Sequence, residues 1–244
     1  MILLIDAGNT RLKWRLVNGS AIHSEGASLI DVGQPFEGLQ DAGKKIKSVA
    51  ISTVGSEAAQ HELEQVVHTV TSAPITFHWA EAERNGLSNS YQDVSKMGAD
   101  RWHAMVAGWE TETAGFAVVD AGSAVTVDYV GGDGRHLGGY ILPGLQMMRR
   151  SLRLDAARIG FDFDDQVDTR PGVSTGECAN HGLAWLTQGV IGQITKDVTC
   201  RGLDRIILTG GDADRFIRLG LAADYRPGLV LDGLQAIHST AGTL

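Results

Sequence analysis

Residues 3–10 read LLIDAGNT and residues 117–124 read AVVDAGSA, so the chain contains nearly the same stretch twice. Each copy is an apolar strand that ends in an acid, Asp6 or Asp120, and continues into alanine and glycine. The copies stand close to half of the 244-residue chain apart. Similarity at that distance is typical of a duplicated domain. The repeat therefore predicts two related lobes that present the same carboxylate-and-glycine turn into one cleft.

The residue types of this turn favour phosphate binding. An acid at a strand end can hold a hydrated cation, and the glycine after it lets a phosphate approach the backbone N–H. Asn9, Thr10 and Ser123 add donors for phosphate oxygens, and Lys13 adds a positive charge. Asp and Gly are also the residues of ordinary hairpin turns, and Lys13 could instead face solvent. The presence of the turn in both halves favours a nucleotide cleft.

The composition excludes several classes of partner. The chain has 21 basic and 29 acidic residues, a net charge of −8, and no long Lys/Arg cluster. Nucleic acid and anionic membranes are therefore not expected as partners. Cys178 and Cys200 are too few for a disulfide framework or a four-thiolate zinc site. Because neither a signal-peptide pattern nor a bilayer-spanning apolar run is found, we expect a cytoplasmic protein.

The order of predicted elements indicates an α/β fold. Polar and apolar residues alternate after each Asp-Ala-Gly turn, which predicts a second strand folding back on the first. Further strands are predicted at residues 48–53, 75–79, 136–142 and 205–208, and helices at 57–70, 100–112, 145–157, 177–199 and 229–238. The mixture of strands and helices favours α/β. The repeat predicts domains at 1–114 and 115–244, and the polar segment 160–176 is a candidate mobile loop.

Two further glycine-containing stretches differ in how well they fit a ligand-binding loop. Residues 38–45 match a Walker A phosphate loop until the last position, where Lys45 replaces the Ser or Thr that binds Mg²⁺, so we interpret them as a solvated turn. Residues 209–213, TGGDA, follow a predicted strand, where open α/β sheets expose backbone to ligands. The eight histidines show no metal-binding spacing and are expected to be structural or exposed.

A separate acid is the candidate for proton transfer. Asp100 stands at the predicted start of a helix, in the sequence Gly98-Ala99-Asp100-Arg101. An acid beside a fixed cation is suited to accepting a proton from a hydroxyl while the cation anchors an anionic substrate. Simple capping of the helix would also explain Asp100. Tyr91 could add a phenol to the same pocket or could be a surface residue.

Six motifs carry a family resemblance. They are DAGNTRLK at 6–13, GADR at 98–101, DAGS at 120–123, GGYILPG at 138–144, Ser174-Thr175 and TGGD at 209–212. Together they resemble the type III pantothenate kinases over essentially the whole chain. The resemblance implies two ribonuclease H-like domains of the actin/hexokinase superfamily with a nucleotide cleft between them. It also implies transfer of the ATP γ-phosphate to the hydroxyl of pantothenate, the first step of coenzyme A synthesis.

The resemblance implies a role for each motif residue. The first turn would wrap the ATP phosphates, with Mg²⁺ near Asp6; it comprises Asp6, Ala7, Gly8, Asn9, Thr10, Arg11, Leu12 and Lys13. Ser123, which stands where Thr is usual in the family, would touch ATP, and Asp120 would hold K⁺ or ammonium. Asp100 would be the base, and the pantothenate pocket would contain Tyr91, Gly98, Ala99, Asp100, Arg101 and Thr175. Family members are homodimers whose partner subunit completes the acceptor pocket.

Three other functions remain open at this point. The first is another kinase of the superfamily, acting on a sugar or an acetate-like acid. The second is a regulatory protein, because relatives are described as Bvg accessory factors for transcription; such a role would tolerate loss of Asp100. The third is an actin-like filament former, for which the chain is short.

Overall fold

Two five-stranded sheets organise the chain. The computed structural model describes residues 1–30, 35–36, 38–39, 42–155 and 162–241. The first sheet contains β1 (Ile2–Ala7), β2 (Arg11–Asn18), β3 (Ala21–Leu29), β4 (Ser48–Thr53) and β5 (Ile75–His78). A separate two-stranded hairpin is formed by β6 (Glu83–Arg84) and β7 (Leu87–Ser88). The second sheet contains β8 (Phe116–Ala121), β9 (Ala124–Val130), β10 (His136–Pro143), β11 (Arg205–Thr209) and β12 (Asp224–Tyr225).

The two sheets have the same topology. Their strand orders are β3-β2-β1-β4-β5 and β10-β9-β8-β11-β12. In each sheet the strand that carries the repeated motif lies at the centre, with an antiparallel neighbour on one side and a parallel neighbour on the other. This equivalence confirms the predicted α/β class and supports a duplication.

The helices lie between and after the strands. They are α1 (Glu57–His68), α2 (Ala99–Thr111), α3 (Leu145–Asp155), α4 (Thr175–Arg201), α5 (Ala213–Arg218) and α6 (Leu229–Ala241). Short 3₁₀ turns occur at Gly43–Lys45 and Val94–Lys96. Within the described residues no helix has the length and apolar character needed to span a membrane.

Most predicted elements are present within a few residues of their expected bounds. The clearest correction is at α4, which begins at Thr175, inside the segment 160–176 that was predicted as a loop. The reason is a cap that the sequence analysis overlooked: the Ser174 hydroxyl accepts from the Glu177 amide, and the Glu177 carboxylate accepts from the Val173 amide. Residues 40–41 of the Walker-like stretch, 156–157 of the predicted third helix and 160–161 of the predicted loop lie outside the described residues.

The chain divides into two units whose bounds differ from the predicted domains. The first unit is Met1–Thr111 with Gly228–Leu244, and the second is Glu112–Pro227. The repeat had assigned everything after residue 114 to the second domain. The C-terminal helix α6 instead buries Leu231 and Leu234 with Leu4, Val17 and Ala50 of the first sheet. Apolar burial, rather than chain order, assigns this helix to the first unit.

A row of histidines lies between the first sheet and its helices. The His238 ring is hydrogen-bonded to the Ser48 hydroxyl and to His78, each at 3.0 Å. His103 is hydrogen-bonded to the Ser52 hydroxyl at 2.8 Å. Burial, with a smaller contribution from His238, lowers the pKa of His78 to about 4, and burial lowers the pKa of His103 to about 3. Burial also lowers the pKa of His238, so the surroundings of all three rings favour their neutral form in the native state.

The histidine row predicts a loss of stability in mild acid. In the unfolded chain histidine titrates near 6.5, so between that pH and the lower native pKa values the unfolded state binds more protons. The free energy of unfolding should be constant above about pH 6.5 and should fall from there toward pH 4. Urea unfolding at intervals of half a pH unit measures this slope.

Two variants distinguish the contribution of the histidine row to this pH dependence from the contribution of other titrating groups. His78→Asn should flatten the slope between pH 6.5 and 4.5, because one proton-binding group of the unfolded state is removed. The matched change at exposed His23, His23→Asn, should leave the slope as in the wild type. Equal slopes in all three proteins would contradict the assignment.

Candidate active site

The first Asp-Ala-Gly turn joins β1 to β2. Asp6 lies opposite Lys13 across the antiparallel pair and opposite Ser52 of β4. The Gly8 amide donates to the Arg11 carbonyl at 3.0 Å, which closes the turn. Asn9 and Thr10 are exposed at its tip, and Asp6 and Lys13 are half-buried beneath it. The residues predicted to wrap phosphate thus form one continuous turn, in which Asp6 and Lys13 are opposite each other in the strand register.

The second turn is similar but shorter by one residue. Asp120 is the last residue but one of β8 and lies opposite Thr126 of β9, six positions later in the chain. Asp6 lies opposite Lys13, seven positions later. The Gly122 amide donates to the Ala124 carbonyl at 3.0 Å, and Ser123 is exposed at the tip. The two copies are therefore equivalent in topology and unequal in the loop that meets a ligand.

The third glycine turn packs directly against the second. Gly210 has a φ of +98°, and a Cβ at this position would lie 2.3 Å from the Ala121 carbonyl oxygen and 2.5 Å from Asp120 Oδ1. Only glycine satisfies both the backbone angle and the space. The Asp212 amide donates to the Ala121 carbonyl at 2.8 Å. The structure therefore brings the TGGD motif to Asp120, as expected for a strand-end ligand site.

The acceptor-side motif lies at the start of α2. The Arg101 amide donates to Asp100 Oδ1 at 2.8 Å, and a Cβ at Gly98 would lie 2.5 Å from that same oxygen. Asp100 is half-buried in the first turn of the helix, whose first residue is Ala99. Gly98 thus leaves the space that the Asp100 carboxylate occupies.

An arginine and a tyrosine form the wall beside Asp100. Arg101 is only 6% exposed, and its Nη1 donates to the Tyr91 hydroxyl at 2.7 Å. The guanidinium carbon also lies 5.7 Å from the centroid of the Tyr91 ring. The two side chains that were predicted for one pocket are therefore in contact, and Tyr91 is more than a surface residue. Thr175, the remaining predicted pantothenate residue, is exposed at the start of α4 in the second unit.

The second unit contains an apolar cavity that the sequence analysis did not predict. Its volume is about 200 Å³. Its walls come from the ends of β9 and β10 and from α3, α4 and α5, and are Val125, Leu142, Pro143, Leu145, Met148, Leu186, Thr187, Val190, Asp212, Arg215 and Phe216. Periodicity could identify these side chains as apolar, but not that three helices leave a space among them.

Comparison with known proteins identifies the family. The family model of type III pantothenate kinase matches residues 2–197. The type III pantothenate kinase of Marinobacter nauticus is 59% identical over 244 residues, with 100% of both chains covered. This chain belongs to the type III pantothenate kinase family. Membership confirms the prediction of an ATP-dependent kinase that phosphorylates pantothenate in coenzyme A synthesis, in preference to the regulatory alternative.

Solved structures at lower identity share the fold of this pantothenate kinase family member. One is a Campylobacter jejuni protein named as a Baf family transcriptional activator, at 21% identity and a TM-score of 0.60, covering 99% of this chain and 100% of that one. Another is a Sinorhizobium meliloti protein named as a 2-dehydro-3-deoxygalactonokinase, at 15% identity and a TM-score of 0.60, with both chains fully covered. These similarities confirm the predicted two-domain, actin/hexokinase-like fold.

The donor sets of the two turns fit hard cations. Within the described residues, no group of three or more His, Cys, Asp or Glu side chains is arranged to hold a metal ion. Each turn offers a single carboxylate, Asp6 or Asp120, at a strand end among backbone groups. Mg²⁺ in kinases is commonly bound through one or two carboxylates and the substrate phosphates. The oxygen donors present are therefore compatible with cations that a nucleotide helps to bind.

Proposed function

We propose that this pantothenate kinase divides its chemistry among three carboxylates: Asp6 on the Mg²⁺ and phosphate side, Asp120 at a monovalent cation, and Asp100 as the base. The observation that carries the proposal is the position of each carboxylate. Asp6 and Asp120 are the last residues but one of the central strands of the two sheets, beside glycine turns, whereas Asp100 lies in the first turn of a helix beside a buried arginine. Because the three carboxylates lie in different local surroundings, we assign each of them a different role.

The first turn is proposed to bind the ATP phosphates. The Gly8 to Lys13 segment offers exposed backbone and side-chain donors, and Lys13 lies opposite Asp6. Lysine and backbone N–H groups are the usual phosphate ligands of such loops. Mg²⁺, when bound, would neutralise charge on the transferring phosphate, and Asp6 is the side chain that we propose would hold it. Phosphoryl transfer depends mainly on positioning and charge neutralisation, which these groups provide.

Asp100 is proposed to accept the proton of the pantothenate hydroxyl. Its carboxylate is kept at the start of α2 by the Arg101 amide and by the space at Gly98. Arg101 and Tyr91, in contact with each other, are proposed to bind the pantothenate carboxylate and polar groups. A positioned base of this kind contributes about 10²- to 10⁴-fold to the rate.

The apolar cavity is proposed to receive the base of ATP. Pro143 and Leu145 line the cavity and flank Gly144, where a Cβ would lie 2.3 Å from the Ser123 carbonyl oxygen. Asp212, also in the cavity wall, donates its amide to the Ala121 carbonyl. A nucleotide whose phosphates reach Ser123 therefore has an apolar space beside it for a planar ring.

The homodimer remains a proposal, supported by an exposed apolar surface on the second unit. Trp185 and Ile141 are 68% and 64% exposed, and β10 is an edge strand of its sheet. The other exposed apolar residues of β10, α3 and α4 are Leu137, Tyr140, Met147, Leu152, Leu154 and Leu186. Surfaces of this kind commonly mark protein interfaces. A second copy of the chain is the partner that we propose.

The base assignment predicts a specific kinetic defect in Asp100→Asn. The amide keeps the size of the carboxylate but cannot accept the proton, so turnover should fall by about 10²- to 10⁴-fold. ATP affinity should stay near that of the wild type, because the phosphate turn is unchanged. Steady-state kinetics with ADP release and titration with a fluorescent ATP analogue measure the two quantities. Turnover within a few-fold of the wild type would exclude Asp100 as the base.

An acceptor panel in two salts tests the substrate and the monovalent cation together. With ATP and Mg²⁺, pantothenate should support ADP release, whereas sugars and acetate should not, and the rate should be higher in K⁺ than in Na⁺. Asp120→Ala should remove most of the preference for K⁺. Asp133→Ala, the same change in an exposed turn of the same unit, should retain it. Equal wild-type rates in K⁺ and Na⁺ would count against the cation role.

The dimer proposal predicts that a charge on the exposed surface separates the subunits. Trp185→Glu should change the mass in solution from that of a dimer to that of a monomer, because an ionised carboxylate resists burial in an apolar contact. Size-exclusion chromatography with light scattering measures the mass. Trp79→Glu, at a tryptophan 48% exposed in the first unit, should remain dimeric. A monomeric wild-type protein would overturn the proposal.

A further inference from the structure

A buried polar pair joins α2 to β4 within the first unit. The His103 ring and the Ser52 hydroxyl are both fully buried, and His103 Nδ1 lies 2.8 Å from Ser52 Oγ. The other ring nitrogen, Nε2, has no hydrogen-bond partner among the described residues. The side chains on either side of His103 in the helix, Trp102 and Ala104, are buried and mainly apolar. The pair is therefore a directional contact within a largely apolar interface.

The position of the pair links the two acids of this unit. Ser52 lies directly opposite Asp6 in the β1–β4 register. His103 follows Asp100 by three residues in α2, so the two side chains lie on neighbouring parts of one helix face. The hydrogen bond thus connects the turn of helix that carries Asp100 with the strand position beside Asp6.

Helix α6 restricts α2 from another side. A Cβ at Gly233 would lie 1.9 Å from the His103 carbonyl oxygen, so the backbones of α6 and α2 are in direct contact there. This backbone contact limits how near α2 and α6 can approach each other. Apolar packing around it is non-directional and does less to set the position of α2 along its axis. A hydrogen bond of 2.8 Å also fixes that position.

We propose that His103 and Ser52 are positioning residues that hold Asp100 at the correct place relative to Asp6 for phosphoryl transfer. The proposal rests on the role of Asp100 as the base. Burial lowers the pKa of His103 to about 3, so the ring is neutral at the pH of the reaction and the contact does not titrate there. Misplacement of a reacting group by about 1 Å costs roughly 10²-fold in rate, so a small shift of α2 is sufficient to reduce turnover.

The experiment compares His103→Leu, Ser52→Ala and the double variant with the wild type. Each should lower kcat by about 10- to 100-fold and leave the KM for ATP within about two-fold, because the phosphate turn is not changed. The single variants leave one buried polar group unpaired and should have lower melting temperatures, whereas the double variant removes both groups and should recover stability. The decisive expectation is that the double variant recovers its melting temperature without recovering kcat.

Two further variants test whether the hydrogen bond itself is responsible. His103→Asn places an amide group near the position of Nδ1 and should keep kcat within a few-fold of the wild type. Ser48→Ala makes the same change at the other end of β4, where the hydroxyl is hydrogen-bonded to His238, and should leave kcat unchanged. If His103→Leu does not fold, Ser52→Ala and the double variant still give the comparison.

The possible results distinguish this role from the proposed function. Full kcat in the double variant, or an equal loss of kcat in Ser48→Ala, would overturn the positioning role while pantothenate kinase activity of the wild type stands. A normal kcat in Asp100→Asn would overturn the base, and the positioning role with it. Low kcat in the stable double variant together with normal kcat in Ser48→Ala would establish the role of the pair.

Discussion

The register of the central strand in each sheet is the constraint on which both candidate sites depend. Side chains of a strand alternate between its two faces, so a shift of one residue would move every side chain to the opposite face. β1 is held between antiparallel β2 and parallel β4, and β8 is held in the same way by β9 and β11. Because each central strand is fixed on both sides, the carboxylate at its end has a defined place beside the following glycine turn.

The two turns differ in sequence and length although they stand on equivalent frames. The strands and their neighbours are conserved between the units, and the loop after each acid is the part that differs. The first loop is longer by one residue and places Lys13 opposite Asp6, whereas Thr126 lies opposite Asp120. The lysine brings a positive charge to the position opposite Asp6, whereas the threonine brings a neutral hydroxyl to the position opposite Asp120. The difference in charge therefore comes from the residue opposite each acid, a lysine in one copy and a threonine in the other.

The sequence allowed prediction of those features that depend on local pattern. The repeated motif, the α/β class, the strands around each turn and the acidic helix start at Asp100 all have signals within a few residues. The assignment of α6 to the first unit could not be predicted in this way. Its apolar face, with Leu231 and Leu234, would suit either sheet, and only the packed structure shows that Leu4 and Val17 provide the complementary surface. The apolar cavity was missed for the same reason, because a space is a property of several elements together.

The histidines show that the spacing of residues in the sequence does not reveal which side chains pack together in the fold. Their spacing carries no metal-binding pattern, and they were expected to be structural or exposed. The sequence could not show that three of them lie together between the sheet and its helices. A neutral imidazole can be buried at moderate cost if it makes a hydrogen bond, and it then adds direction to an apolar contact. His103 makes such a bond to Ser52, one turn of helix from Asp100 and one strand from Asp6. A residue that chemistry alone would classify as core thus links the strand position opposite Asp6 with the helix turn that carries Asp100, two acids for which we propose roles in the reaction. Its side chain supplies the direction that apolar packing lacks.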